Sequence, residues 1–435
     1  MQLYSRRQFL GALGRPAMAV LAVATLDPDA MKDALGAIAK RKGKPEEIAA
    51  DESYWYPIQQ AYTVDRSLVN LNNGGVSPSP AMVQNAMKRY LDYSNTAPVY
   101  TMWRILEPQR EGVRKRMARA FGCDPEEVAL TRNASEGLEI CQLGIDFSSG
   151  DEILTTNQDY PRMITTFQQR ERREGLVLKQ FSIPVPAERP QEIVDLFAEH
   201  ISPKTKVILM CHMINLTGQI LPVKEVVAMA RRRGIPVIVD GAHALAHFVF
   251  SLQDLDCDYY ATSLHKWLCA PHGTGLLYVR REKIAGLWPM MAAPETMDED
   301  IRKFEEIGTH PAANCLAIAD ALTFHQGIGA ANKEARMRYL RDRWAKRLIK
   351  YDRVRLHTSL KPQFACGLAT VQIKEVDSEK LADYLWQRYR IIVTPIKHPE
   401  FEGIRVTPNV YTTLEEIDRF TDIMEMVIRK GLPEA

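Results

Sequence analysis

Two stretches, VDGAHALAH at 239–247 and TSLHKWLCAPHGTG at 262–275, decide how this 435-residue chain is read. The first continues an apolar run, Val237-Ile238-Val239, that stops on an acid, Asp240. The second follows a short β-rich run at 259–262 and opens on Ser263, His265 and Lys266. An acid that closes an apolar strand is poorly solvated, so it needs a partner or a proton. Capping the next helix is the ordinary use of such an Asp. Pairing with a protonated ring nitrogen is the chemical one. A Lys in a turn at the carboxyl edge of a sheet, between aromatic and apolar neighbours, loses hydration and part of its hold on the proton. It can then attack an aldehyde. Judged alone, Lys266 beside Trp267 reads as a surface side chain lying along an indole.

Outward from these stretches the pattern alternates. Strands are expected at 128–131, 152–155, 176–181, 207–211, 237–240, 259–262 and 275–279, with helical periodicity between them. One helix, 223–233, ends at Gly234-Ile235-Pro236, a normal stop signal. Alternating strands and helices predict an α/β fold on a mostly parallel sheet. The continuous apolar runs Val-Ile-Leu-Met and Val-Ile-Val suit a sheet covered on both faces. From about residue 330 a charged helix, 333–351, leads into a smaller α+β portion that ends in a helix at 414–429. The expected layout is a large domain over 61–325, whose first segment packs on the small domain, and a small C-terminal domain over 326–435. Residues 27–60, with KRKGKP at 40–45, read as a linker or helical lead-in.

Ligands of open α/β sheets bind outside the carboxyl ends of the strands. After the run 128–131 comes Asn133-Ala134-Ser135-Glu136-Gly137. Small polar residues opening a helix present free N–H groups to an anion such as a phosphate, although an ordinary capped helix has the same look. Asp240 and Lys266 stand 26 residues apart, enough for one crossover and the next strand. His243 and His247 have the i, i+4 spacing of a zinc pair, but Ala244 stands where a metalloprotease needs Glu, so no metal is expected.

In this order, a phosphate-type helix start, an Asp-ended strand and S-x-H-K, the chain resembles the class V aminotransferases. These are fold-type I enzymes dependent on pyridoxal 5′-phosphate (PLP), and the likeness is greatest to their isopenicillin N epimerase-like members. The resemblance spans about residues 60–430. It is carried also by LNNGGVSPSP (71–80), NQDYPRM (157–163), HMINLTGQILPV (212–223), EEIGTH (305–310) and GIRVTPNVYTTLEEIDRF (403–420). It implies a mostly parallel central sheet between helices, and PLP joined to Lys266 as a Schiff base. Asp240 would pair with the pyridine nitrogen, and His243 would lie near the phenolic oxygen. Asn133, Ala134, Ser135, Ser263 and His265 would hold the phosphate, and Tyr160 would stack on the ring. Asn215 and Thr217 would face the ring and the substrate. Asn73 and Arg405 would bind substrate, the guanidinium clamping its carboxylate. Thr309 would reach the phosphate of a neighbouring subunit, which implies a homodimer with shared active sites.

The same resemblance implies an amino acid substrate that displaces Lys266 to form an external aldimine. Lys266 then serves as base at Cα. Transamination and epimerisation lead, Tyr160 being the one nearby candidate for a second acid. A C–S or other β-lyase is the alternative, and a PLP-binding protein without catalysis a further one. Cysteine desulfuration is disfavoured, because 390–405 holds no Cys and Cys366 stands 39 residues before Arg405.

Composition excludes little else. Net charge is +2, with 46% hydrophobic residues, so no strong field points to nucleic acid. The seven cysteines show no C-x-x-C pair and read as scattered buried thiols. Ser5-Arg6-Arg7-Gln8-Phe9-Leu10 matches the twin-arginine pattern, and the weakly apolar 17–26 is too short to span a bilayer. Residues 1–26 are therefore expected to be a signal for the Tat export machinery, with a periplasmic destination for the folded protein. A basic amphipathic helix on a cytoplasmic enzyme is the competing reading.

Overall fold

The computed structural model describes residues 43–433, so the twin-arginine segment lies outside the described residues. The described chain starts with helices α1 (Pro45–Ala50) and α2 (Glu52–Gln60). Tyr54, Trp55 and Ile58 have no exposed surface. Trp55 Nε1 donates to the Ile48 carbonyl at 2.8 Å, and Tyr54 Oη donates to the Ile328 carbonyl at 2.5 Å. This part of the chain is built into the core.

The central sheet has seven strands: β1 (Val128–Thr131), β2 (Glu152–Thr156), β3 (Val177–Phe181), β4 (Thr205–Cys211), β5 (Val237–Asp240), β6 (Tyr259–Ser263) and β7 (Gly275–Val279). Their order is β1-β7-β6-β5-β4-β2-β3. β7 runs antiparallel to both of its neighbours, and the remaining pairs are parallel. Each strand coincides with an expected one, with ends shifted by two residues at most. Side chains alternate between faces. Ile208, Met210, Val237 and Val239 join one apolar cluster, and Val207, Leu209 and Ile238 the other. Helices α3 (Ala134–Gly144), α4 (Pro161–Glu174) and α5 (Val223–Arg231) follow β1, β2 and β4.

A second, antiparallel sheet comprises β8 (Val354–Leu356), β9 (Ala369–Ile373), β10 (Thr394–His398) and β11 (Phe401–Val406), in the order β10-β11-β9-β8. Helices α6 (Ala330–Leu348) and α7 (Leu414–Lys430) pack with it around a separate apolar cluster. There Trp344 meets Phe420 edge-on at 5.9 Å between ring centroids. Val69–Asn70 pairs in parallel with Ile391–Ile392, so the segment ahead of the central sheet is hydrogen-bonded to the C-terminal part. That pairing carries residues 71–75 to the edge of the site.

Candidate active site

The carboxyl ends of β1, β2, β4, β5 and β6 open onto one cavity. Asn133, Ala134, Ser135, Tyr160, Asn215, Asp240, His243, Ser263, His265 and Lys266 line it, together with Gly75, Leu138, Arg162, Cys211, Met213 and Ala242. Two glycines permit the close approach of its walls. A Cβ on Gly275 would sit 2.7 Å from the backbone of Asn133, and one on Gly241 would fall 2.0 Å from the Tyr260 ring.

Lys266 Nζ lies 3.0 Å from Nε2 of His243. Burial lowers the Lys266 amine to about 8, with Asp240 opposing the shift and Arg405 adding to it. Burial raises Asp240 to about 6, against the pull of its hydrogen bond from the Ala242 amide and of the Lys266 charge. His243 is held well below its usual range by burial and by the Lys266 and Arg405 charges, and is therefore neutral. His265 falls to about 4, mainly through burial, while its Nδ1 lies 3.2 Å from the Thr274 carbonyl.

At the opposite wall, Asn133 caps α3 by accepting the Glu136 amide at 2.8 Å. The Ala134 amide is taken by Ser263 Oγ at 3.0 Å. Among the described residues, the Ser135 amide and the hydroxyls of Ser135 and Ser263 have no acceptor and are the free donors here. Such a helix start binds anions.

Among the described residues, Nδ1 of His243, Oδ1 of Asn215 and Nε of Arg405, all buried around the cavity, have no hydrogen-bond partner. Burying a polar group without a hydrogen bond costs free energy, which a ligand with complementary groups would offset. Arg405 stands on β11. Its guanidinium donates to the Asn215 carbonyl at 2.9 Å, to Asn72 Oδ1 at 3.0 Å and to Thr394 Oγ1 at 3.3 Å. None of these acceptors is charged, and burial lowers Arg405 to about 10.

Some expected residues lie elsewhere. Asn73 does not line the cavity. Its amide donates to the carbonyls of Asn70 and Thr407 and its Oδ1 accepts from Tyr411 Oη, so every polar atom of the side chain is committed within the protein. Asn72, one residue earlier, is the neighbour that steadies Arg405. Thr217 is buried against the Gln219 amide, and its carbonyl accepts from Thr358 Oγ1, so it braces the loop instead of facing the ligand. Thr309, expected at the site of a neighbouring subunit and not at this one, is exposed and does not line this cavity.

The sequence reading assigned no role to Cys211 or Asn72, and it placed Arg162 only within 157–163, one of the loops (with 93–103 and 290–296) expected to set specificity. Cys211 ends β4 in register with Asp240 on β5, which is the signal that marks it as a site position. Its thiol is pushed up by burial and by the carboxylates of Asp159 and Asp240, so it stays protonated.

Known proteins resemble this chain in sequence and fold. The family profile described as Aminotransferase class-V matches residues 69–420. The chain is 29% identical over 388 residues to the isopenicillin N epimerase of Streptomyces clavuligerus, covering 85% of this chain and 98% of that one. The apo cysteine desulfurase of Thermococcus onnurineus NA1 superposes with a TM-score of 0.76 at 22% identity, covering 90% of this chain and 100% of that one. C-DES is a cystine C–S lyase, solved also as a variant with glycine covalently linked to the PLP cofactor. That variant superposes with a TM-score of 0.72 at 23% identity, covering 82% of this chain and 96% of that one.

Proposed function

The chain belongs to the class-V aminotransferase family, and on that premise we propose that it is a PLP-dependent enzyme that binds an α-amino acid by its carboxylate and removes the proton from Cα. Its fold is that of the fold-type I PLP-dependent enzymes. One observation carries the substrate reading. Arg405 is a buried guanidinium with neutral partners and a free Nε, and its charge is felt at Lys266. A cation taken out of water without an anion is costly, and a substrate carboxylate removes that cost.

The cavity residues fit PLP. Lys266 would hold its aldehyde, Asp240 its ring nitrogen and His243 its phenolic oxygen. The Ser135 amide, Ser263 and His265 would hold its phosphate, with Tyr160 at the ring. PLP supplies a conjugated system that accepts the electron pair left when a bond at Cα breaks. The residues do the rest. Lys266, depressed to about 8, is neutral often enough near pH 8 to take a proton from Cα. Asp240 keeps a positive charge on the ring nitrogen. Asn72, Thr394 and the Asn215 carbonyl orient Arg405.

Likeness to the isopenicillin N epimerase over nearly its whole length favours return of the proton to Cα, with Tyr160 as the second proton carrier. Transamination is the other outcome of the same proton removal. Cleavage of a C–S bond is the second reading, and kinship with the cystine C–S lyase fold is what favours it. The test mixes PLP-loaded protein with single amino acids and identifies the products. Racemised substrate supports epimerisation, keto acid with pyridoxamine phosphate supports transamination, and released sulfide or persulfide supports lysis. A spectrum unmoved by every amino acid sinks the enzyme reading, and a Lys266→Ala protein that keeps the absorbance of lysine-bound cofactor sinks the assignment of Lys266.

Two assignments beyond the cavity complete the proposal. The segment Ser5-Arg6-Arg7-Gln8-Phe9-Leu10 directs export of the folded protein by the twin-arginine route. Retention in the cytoplasm after Arg6→Lys with Arg7→Lys is the expected result, and unchanged localisation counts against it. A homodimer with Thr309 at the neighbouring site is the proposed assembly, to be read from the mass in solution and from weakened PLP binding in Thr309→Ala.

A further inference from the structure

Arg162 lines the same cavity as Lys266. It sits in the first turn of α4, two residues after Tyr160. Its side chain is exposed at the mouth of the cavity, where water screens the helix dipole, and a cation at this positive end is favoured by an anion that joins it. No acidic residue occupies that turn, and Tyr160 does not cap the helix with its side chain. Among the described residues the Arg162 side chain has no ion-pair or hydrogen-bond partner. Glu139, on the helix packed alongside, is bonded by Thr166 instead. By contrast Arg132, next to the α3 start, is neutralised by Glu136 at 2.7 Å.

The cavity therefore offers three cations, Lys266, Arg162 and the adjoining Arg405, against one lining acid, Asp240. In the function proposed above, Lys266 is used by the cofactor and Arg405 by the α-carboxylate, while the phosphate has the α3 start with Ser263 and His265. Arg162 is left over. We infer that Arg162 is a specificity residue that receives a second acidic group at the far end of the substrate. The substrate class is then an α-amino acid with a distal carboxylate or comparable anion. The inference rests on the reading of the site as an amino acid enzyme.

The experiment titrates PLP-loaded enzyme with aspartate, glutamate and their longer homologues, in both configurations, each against its ω-amide. The cofactor spectrum gives the half-saturating concentration. The expected result is a preference for at least one acid over its amide by about tenfold or more, the scale of one charge-assisted hydrogen bond. Arg162→Gln should bring that ratio close to one while leaving the response to the amide and the affinity for PLP unchanged. Arg162→Lys should keep part of the preference, and added salt should reduce it in the wild-type protein. A preference that survives in Arg162→Gln, or none in the wild type, overturns the inference and leaves the amino acid reading standing. A fall in PLP affinity in Arg162→Gln, with selectivity intact, assigns the residue to the phosphate and also overturns it. Silence of the wild-type spectrum toward all of these compounds overturns the amino acid reading and this inference together.

Discussion

At the scale of single residues, the site is a set of groups held away from their preferred ionisation. Asp240 shows the cost most directly. Its folded-state value of about 6 lies above the ordinary 3.8, so the folded apoprotein binds that proton more tightly than the unfolded chain does. The group's contribution is favourable in acid, is lost as pH rises from 3.8 through 6, and is a full penalty above that. Asp240→Asn should therefore stabilise the apoprotein at pH 7 by about 1–3 kcal/mol and lose that advantage near pH 4, while weakening PLP binding. Urea unfolding at the two pH values checks the sign. Lys266 gives a kinetic counterpart. Only its neutral amine attacks an aldehyde, and its value is about 8, so the rate at which apoprotein captures PLP should climb through pH 7 to 9 and then level off. Stopped-flow absorbance reads this, and a pH-independent rate would contradict it. Arg405→Leu should leave stability little changed, because it removes a buried cation without an acidic partner. It should raise KM for amino acids by about 100-fold or more.

At the scale of elements, strands and helices place those residues by their ends. The α3 start is fixed by Asn133, whose cap accepts the amide next to Ser135, a residue of the cavity lining. Asn133→Ala should cost about 1 kcal/mol of stability and weaken PLP binding, both readable from thermal melts with and without the cofactor. Ahead of α3, β1 is clamped from the far side. Glu305 accepts the Leu130 amide at 2.6 Å and ion-pairs with Arg114 at 2.6 Å and Arg110 at 2.9 Å. Arg114 is almost fully buried and would keep only the more exposed Glu111 as an acidic partner, so Glu305→Leu should cost about 3 kcal/mol.

At the scale of the whole molecule, the site is assembled from both parts of the chain. Lys266 and Asp240 come from the central sheet, Arg405 from the C-terminal one, and Asn72 from the segment that pairs with Ile391–Ile392. A ligand that ties these together raises global stability. PLP at about 100 times its Kd should add about 2.7 kcal/mol, and pyridoxal, which lacks the phosphate, less at equal concentration. Trp55→Ala, far from the cavity, should cost about 3–5 kcal/mol through the void it leaves, and should alter PLP affinity little.

The strands were legible because a sheet covered on both faces demands continuous apolar runs, and such runs are a local property. For the same reason their carboxyl ends, with Asn133, Asp240, Ser263 and Lys266, could be read directly as site positions. Asn72 and Asn73 mark where that stops. Adjacent residues of an extended segment face opposite sides, and which one meets Arg405 depends on pairing with Thr407, more than 330 positions away. Cys211 joined the cavity through the register of β4 on β5, and Arg162 through the direction in which α4 leaves β2. The strand positions, their order and the chemistry gathered at the strand ends follow from local patterns in the chain. Tertiary structure alone decided which buried charge lacks a partner, because burial and pairing are set by residues distant along the chain.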